Sequence, residues 1–97
     1  MAMIRFHKEG KYMKLVVFNV GSALCVYAEH QTTRIVFDIG KGNNFSPVND
    51  FLLPLYEKRG EHRLKNRNNR YGISQLIVSH PHKDHISDIQ EFDKNFY

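Results

Sequence analysis

The chain has 97 residues, 41% of them hydrophobic, and its 14 Lys and Arg against 10 Asp and Glu give a net charge of +4. That length fits one small domain with a modest core, and the mild basic excess is compatible with an anionic partner without specifying one. A single cysteine, Cys25, excludes an intramolecular disulfide, no apolar run approaches the ~20 residues of a membrane span, and the start "MAMIRFHKEGKYMK" lacks a secretory signal's apolar stretch, so a soluble, cytoplasmic chain with no membrane partner is expected.

"IRFHKE" near the start suggests an edge strand. "MKLVVFNV" (Met13 to Val20) is β-branched and aromatic and reads as a strand too apolar throughout to be half exposed. Gly21-Ser22 marks a turn. "ALCVYAE" (Ala23 to Glu29) follows as a strand, with Cys25 as a small core residue. After "HQTT", "RIVFDIG" (Arg34 to Gly40) is another. Connections this short imply an antiparallel meander.

Ser46-Pro47 reads as a helix start, with Ser as N-cap and Pro at the first helical position. Val48, Phe51, Leu52, Leu55 and Tyr56 then recur with helical spacing, so an amphipathic helix ending near Gly60 is expected. The stretch from Lys58 to Arg70 holds six Lys and Arg against one Glu, has no apolar periodicity, and reads as a loop or mobile segment. It could contact phosphates of a nucleic acid, although such runs are more often solvated loops. "ISQLIVS" (Ile73 to Ser79) is expected to be a buried strand. Ile86, Ile89, Phe92 and Phe96 suggest a last helix, with Asp84 and Asp88 near its positive N-terminal end.

Between that strand and that helix lie His80, His82, Asp84 and His85, in the pattern H-x-H-x-D-H. Imidazole nitrogen and carboxylate oxygen are ligands for a metal such as zinc. Residues two apart in an extended segment point the same way, so His80 and His82 can grip one ion, and Pro81 stiffens that grip. Asp84 and His85 lie beyond the bend, and two pairs suggest two metals. The remaining histidines, His7, His30 and His62, read as surface residues.

The strand followed by "HPHKDH", preceded by "IVFDIG", closely resembles the metallo-β-lactamase superfamily. Within it, "KLVVFNVGSALCVYAEHQTTRIVFDIG" looks like the opening of the competence-protein-like hydrolases. The resemblance spans about Lys14 to Phe92. It implies a four-layer αββα sandwich of two similar halves that hydrolyses phosphoesters, thioesters or lactams with a metal-activated hydroxide. His80 and His82 would hold the first metal. Asp84 and His85 would hold the second, with Asp84 also the catalytic carboxylate near the attacking water. Asp38 matches the acidic residue that closes the family's earlier strand, where it would orient an imidazole by accepting its other N–H. A turn residue before Gly40 is the alternative reading of Asp38. The metals would be two zinc ions, with manganese or iron as alternatives. Asn19 stands where the subgroup has Asp, Ala23 where it has Gly, and Ile86-Ser87 where it has glycines.

A catalytic zinc takes three protein ligands and keeps an open position, whereas this stretch offers two for each ion. The resemblance therefore implies that residues 1–97 are a single incomplete domain, the N-terminal half of the sandwich. The expected class is α/β (α+β), a mostly antiparallel sheet with two helices. The expected function is metal-dependent hydrolysis of an anionic phosphodiester, nucleic acid or nucleotide, with the segment inactive alone. Its partner would be the missing C-terminal half or a self-associating copy, since a half-sandwich exposes an apolar sheet face. The alternative is a truncated, non-catalytic binding or assembly module.

Overall fold

The computed structural model describes residues 2–8, 11–20, 23–42, 44–79 and 83–97, with backbone alone at 2–8, 11–12, 19–20, 23, 62 and 83–84. The fold is mixed α+β. Its five strands are β1 (Ala2–Lys8), β2 (Lys11–Val20), β3 (Ala23–His30), β4 (Thr33–Ile39) and β5 (Gln75–Ile77), in sheet order β1-β2-β3-β4-β5. The first four pair antiparallel in chain order, with a turn at 31–32 between β3 and β4, and β5 joins β4 in parallel after a helical crossover. Among the described residues, no helix is long and apolar enough to cross a membrane.

Register assigns the two faces. Val16 lies opposite Tyr27 and Phe18 opposite Cys25, with Val36 continuing the row from Tyr27 into β4. These side chains are almost fully buried and form the core with Val48, Leu52 and Tyr56 of the following helix and Phe92 and Phe96 near the C-terminus. The sheet's other face carries Met13, Leu15 and Val17, which are exposed or only half-buried. The expectation that Met13 to Val20 is too apolar to be half exposed is thus corrected. Val16 and Phe18 of β2 enter the core while Leu15 and Val17 between them do not, and among the described residues no helix packs over these two.

Helical winding runs from Pro47 to Lys58 and buries Val48, Leu52 and Tyr56 at successive turns, as the apolar spacing predicts. The Ser46 Oγ accepts from the Asn49 N–H at 3.1 Å, the expected N-cap. Residues Pro47–Leu52 wind with π-type geometry before α1 (Leu53–Lys58), and the Leu53 N–H reaches back to the Val48 carbonyl. Pro54 gives the reason. Its ring has no N–H to donate and would clash with the Asp50 carbonyl in a regular α-turn, and one widened turn relieves both problems. The helix stops at Gly60, whose φ of +68° suits a residue without a Cβ.

The basic stretch is a loop, as expected, and it contains one short helical turn and a set of hydrogen bonds that the expectation did not include. Glu61–Leu64 forms a 3-10 turn. Glu61 grips the Arg34 guanidinium with both oxygens, at 2.7 and 2.8 Å, while that guanidinium lies 4.5 Å from the Tyr56 ring centre. Arg59 donates to Glu29 Oε1 at 2.7 Å, and the Asn66 Oδ1 accepts from the N–H groups of Asn68 and Arg70. Charge pairing, rather than an apolar stripe, fixes this segment, which is why hydrophobic periodicity gave no sign of it. The same network borders a cleft of about 430 Å³ between Arg34, Tyr71 and Tyr97.

Glu29 supplies a test of that network. Burial opposes its ionisation, but the Tyr27 hydroxyl and the Arg59 and Arg34 guanidinium groups outweigh burial and hold its carboxyl below the usual value. A carboxyl with a folded pKa below its unfolded value stabilises the fold above that unfolded value, about 4.3, and loses the contribution as pH falls through the folded pKa. Melting curves between neutral pH and pH ~3 should therefore fall more steeply for the wild type than for Glu29→Gln. Parallel curves would contradict the assigned role of Glu29.

The stretch Ile73 to Ser79 was expected to be a buried strand. Only Gln75–Ile77 pairs, and Leu76 and Ile77 are half-buried. This is the edge strand, paired on one side alone, so its outward-facing side chains meet solvent. The final helix divides into α2 (Lys83–Ile86) and α3 (Ile89–Asn95), separated by Ser87 and Asp88. Asp88 does not cap α3 with its side chain, as a position at the dipole's positive end suggests. It turns into the protein and is 1% exposed.

Candidate metal centre

Strand β4 ends in an irregularity that sets up the site. Val26 pairs with Phe37 but its neighbour Cys25 pairs with Ile39, which leaves Asp38 as an extra residue in the ladder. Asp38 takes φ of +57° there. A bulge of this kind re-aims one side chain without disturbing the strand before it, and Asp tolerates the left-handed region better than most residues. The unusual backbone is held by the pairing on either side, at a cost of about 1 kcal/mol. The side chain is 3% exposed.

The Asp38 carboxylate is well supplied with donors. Its Oδ1 accepts the Ser79 N–H at 2.8 Å, and its Oδ2 accepts the Ser79 hydroxyl at 2.7 Å. The Nδ1 of His85 lies 3.1 Å from the same Oδ2. Burial opposes ionisation, but Ser79 and His85 together hold this carboxyl below its ordinary value. An ionised Asp38 accepts a hydrogen from Nδ1, and the neutral tautomer with Nδ1–H carries its lone pair on Nε2. That lone pair is what a metal ligand requires, and a carboxylate behind the ring is the usual means of orienting it. The arrangement is thus one that would leave Nε2 of His85 available to a metal.

Backbone and side-chain ties fix α2 against the end of β4. The Asp88 N–H donates to the Ile39 carbonyl at 2.8 Å, and the Ser87 Oγ accepts from the Lys41 N–H at 2.8 Å. Asp88 Oδ2 accepts from the Ser46 hydroxyl at 2.7 Å and from the Val48 N–H at 3.0 Å. The buried Asp88 carboxylate thus joins the turn between α2 and α3 to the start of the first helix, while its backbone N–H ties the same turn to the end of β4. Its Oδ1 is buried and has no hydrogen-bond partner among the described residues. Cys25 sits on the neighbouring strand, where burial, with Asp88 and Asp38 nearby, pushes its thiol up to about 12, so it stays protonated at neutral pH.

Of the sequence-predicted site residues, Asp38 and His85 are brought together. His80 and His82, and the side chain of Asp84, lie outside the described residues, with the Asp84 backbone in α2. Among the described residues, no group of three His, Cys, Asp or Glu side chains comes together as a metal site would need. Two contributors escaped sequence reasoning, Ser79 and Asp88. Ser79 could have been suspected from its place directly before His80. Asp88 read as a helix-dipole residue and nothing local marked it as buried. No family model, curated protein or solved structure matches the chain.

Proposed function

We propose that this chain is the metal-holding part of a metallo-β-lactamase-type hydrolase that acts on an anionic phosphodiester, with nucleic acid or nucleotide as the preferred substrate. The observation that carries the reading is the Asp38–His85 pair. A buried carboxylate, anchored by Ser79 on a strained bulge, faces the Nδ1 of the last histidine in "HPHKDH".

His80 and His82 would hold one ion, and Asp84 and His85 a second. Zinc is the first choice, with manganese or iron as alternatives. When bound, such ions lower the pKa of water enough to supply hydroxide at neutral pH. Asp38 keeps the hydrogen on Nδ1 of His85 and fixes the ring plane. Asp84 is the carboxylate assigned to the attacking water. The net charge of +4 and the exposed Arg63 and Arg67 favour an anionic substrate. The buried, protonated Cys25 thiol is compatible with a cytoplasmic setting.

Each ion receives two ligands from this stretch, fewer than a catalytic zinc requires. The purified chain is therefore expected to take up zinc weakly and to hydrolyse bis(p-nitrophenyl) phosphate slowly at most. Robust turnover by the zinc- or manganese-loaded chain would contradict the half-site account. Failure to take up any metal would contradict the metal reading itself.

A further inference from the structure

The cleft of about 430 Å³ opens at the start of β4, away from the metal centre. Arg34 borders it, and Asp38 lies further along the same strand, roughly 13 Å away at ~3.3 Å per residue. Asp38, Ser79 and His85 are not among its lining residues. Leu64, Tyr71, Ile73 and Tyr97 give the cleft apolar and aromatic surface, and Gln31 and Thr32 give it an amide and a hydroxyl.

We propose that this cleft binds a nucleotide unit, with the base against the Tyr97 ring and the phosphate toward Arg63 and Lys65. The inference agrees with a nucleotide substrate but does not rest on the metal chemistry. Tyr97 supplies the stacking surface. Its backbone N–H donates to the Tyr71 carbonyl at 2.9 Å, and its backbone oxygen accepts the Ile73 N–H at 3.0 Å, so its place is fixed. The ring lies against Gly72, with Oη 3.4 Å from where a Cβ would stand. Tyr97 is nonetheless 55% exposed, which leaves aromatic area for a ligand. Every base has a π-face that such a ring accepts.

Charge narrows the ligand. Among the described residues that line the cleft, Arg34 and Glu61 are the charged ones, and Glu61 holds the guanidinium with both oxygens at 2.7 and 2.8 Å. A bare anion therefore finds Arg34 already engaged. Arg63 and Lys65 flank Leu64 in the chain, so the positive charge for a phosphate lies beside the cleft rather than within it. The Lys65 ammonium stands 4.7 Å from the Tyr71 ring centre. A neutral planar group with hydrogen-bonding edges and an anionic tail matches this division, and a base with its phosphate is such a group. The volume falls within the roughly 300–1,000 Å³ of small-ligand sites.

Titration of the full chain with adenosine 5′-monophosphate in EDTA, followed in ¹H–¹⁵N spectra, tests the proposal with metal kept out. Shifts are expected at Gln31, Thr32, Leu64 and Tyr97 and not at Asp38 or His85. Ribose 5-phosphate, which has the phosphate but no base, should bind at least about fivefold more weakly, the low end for loss of one stacked base. Tyr97→Ala should weaken adenylate binding by at least the same factor, and Tyr97→Phe should restore it. Single-stranded hexadeoxyadenylate identifies the source, binding more tightly than the mononucleotide if the unit belongs to a strand and no more tightly if it is free. No shift at the cleft with either adenylate probe would overturn the proposal. So would equal binding of ribose 5-phosphate, or unchanged affinity in a folded Tyr97→Ala chain. None of these outcomes depends on zinc uptake, which is measured separately.

Discussion

Replacing Asp88 with alanine is expected to destabilise the fold by about 3 kcal/mol. Its Oδ2 accepts from the Ser46 hydroxyl and the Val48 N–H, and the Val48 bond is buried. Alanine removes the acceptor for both and leaves two donors without partners, each costing about 1–3 kcal/mol. Removing an already unpartnered Oδ1 returns part of that loss. For a domain whose total stability is only about 5–15 kcal/mol, the melting temperature should fall by roughly 15 °C. Asn at the same position keeps a carbonyl oxygen for both donors and should fall well short of the alanine effect. Urea denaturation of the two variants beside the wild type checks this. An alanine variant within about 0.5 kcal/mol of wild type, the range of ordinary surface substitutions, would show that Asp88 does not join the elements as described.

Asp38→Asn is expected to lower zinc affinity by about 10–100-fold while leaving the fold largely intact. The amide is close in shape to the carboxylate, and its oxygen can still accept the Ser79 N–H that now reaches Oδ1. Its NH₂ then takes the place of Oδ2, which faces both the Ser79 hydroxyl and His85 Nδ1. The hydroxyl can rotate and accept instead. Imidazole can accommodate an NH₂ only by offering Nδ1 as the acceptor, which moves its hydrogen to Nε2 and removes the lone pair a metal needs. The opposite amide orientation sets the NH₂ against the Ser79 N–H, so one clash replaces another. Zinc competition with a chromophoric chelator measures the affinity, and circular dichroism checks the fold. Unchanged affinity in a folded Asp38→Asn chain would remove Asp38 from the site.

The framework of this fold was legible wherever apolar spacing carried it. The β-branched runs marked β2, β3 and β4, and Ser46-Pro47 marked the start of a helix whose apolar positions reach the core. Even the end of β4 could be read, because Ile39 is followed directly by Gly40. What resisted reading depends on distant partners. Ser79 meets Asp38 from 41 residues away, and Ser46 meets Asp88 from 42, and no local pattern records either pairing. The hydrogen bonding of the basic segment was hidden for the same reason, since Arg34 and Glu29 hold it from β4 and β3, distant in sequence. Burial of β2 was overstated because composition does not say how many layers flank a sheet. The π-type turn before Pro54 follows from a residue visible in the sequence, but its outcome depended on whether the helix broke or widened.

On the proposed reading, "HPHKDH" holds metal and Asp38 presents His85 to it. Long-range ¹H–¹⁵N spectra of the six histidine rings during zinc titration test that claim most directly. Zinc is expected to perturb His80, His82 and His85, to bind His85 through Nε2 while its Nδ1 keeps the hydrogen, and to leave His7, His30 and His62 unaffected. Zinc that leaves the three motif rings unchanged, or that perturbs all six alike, would contradict it.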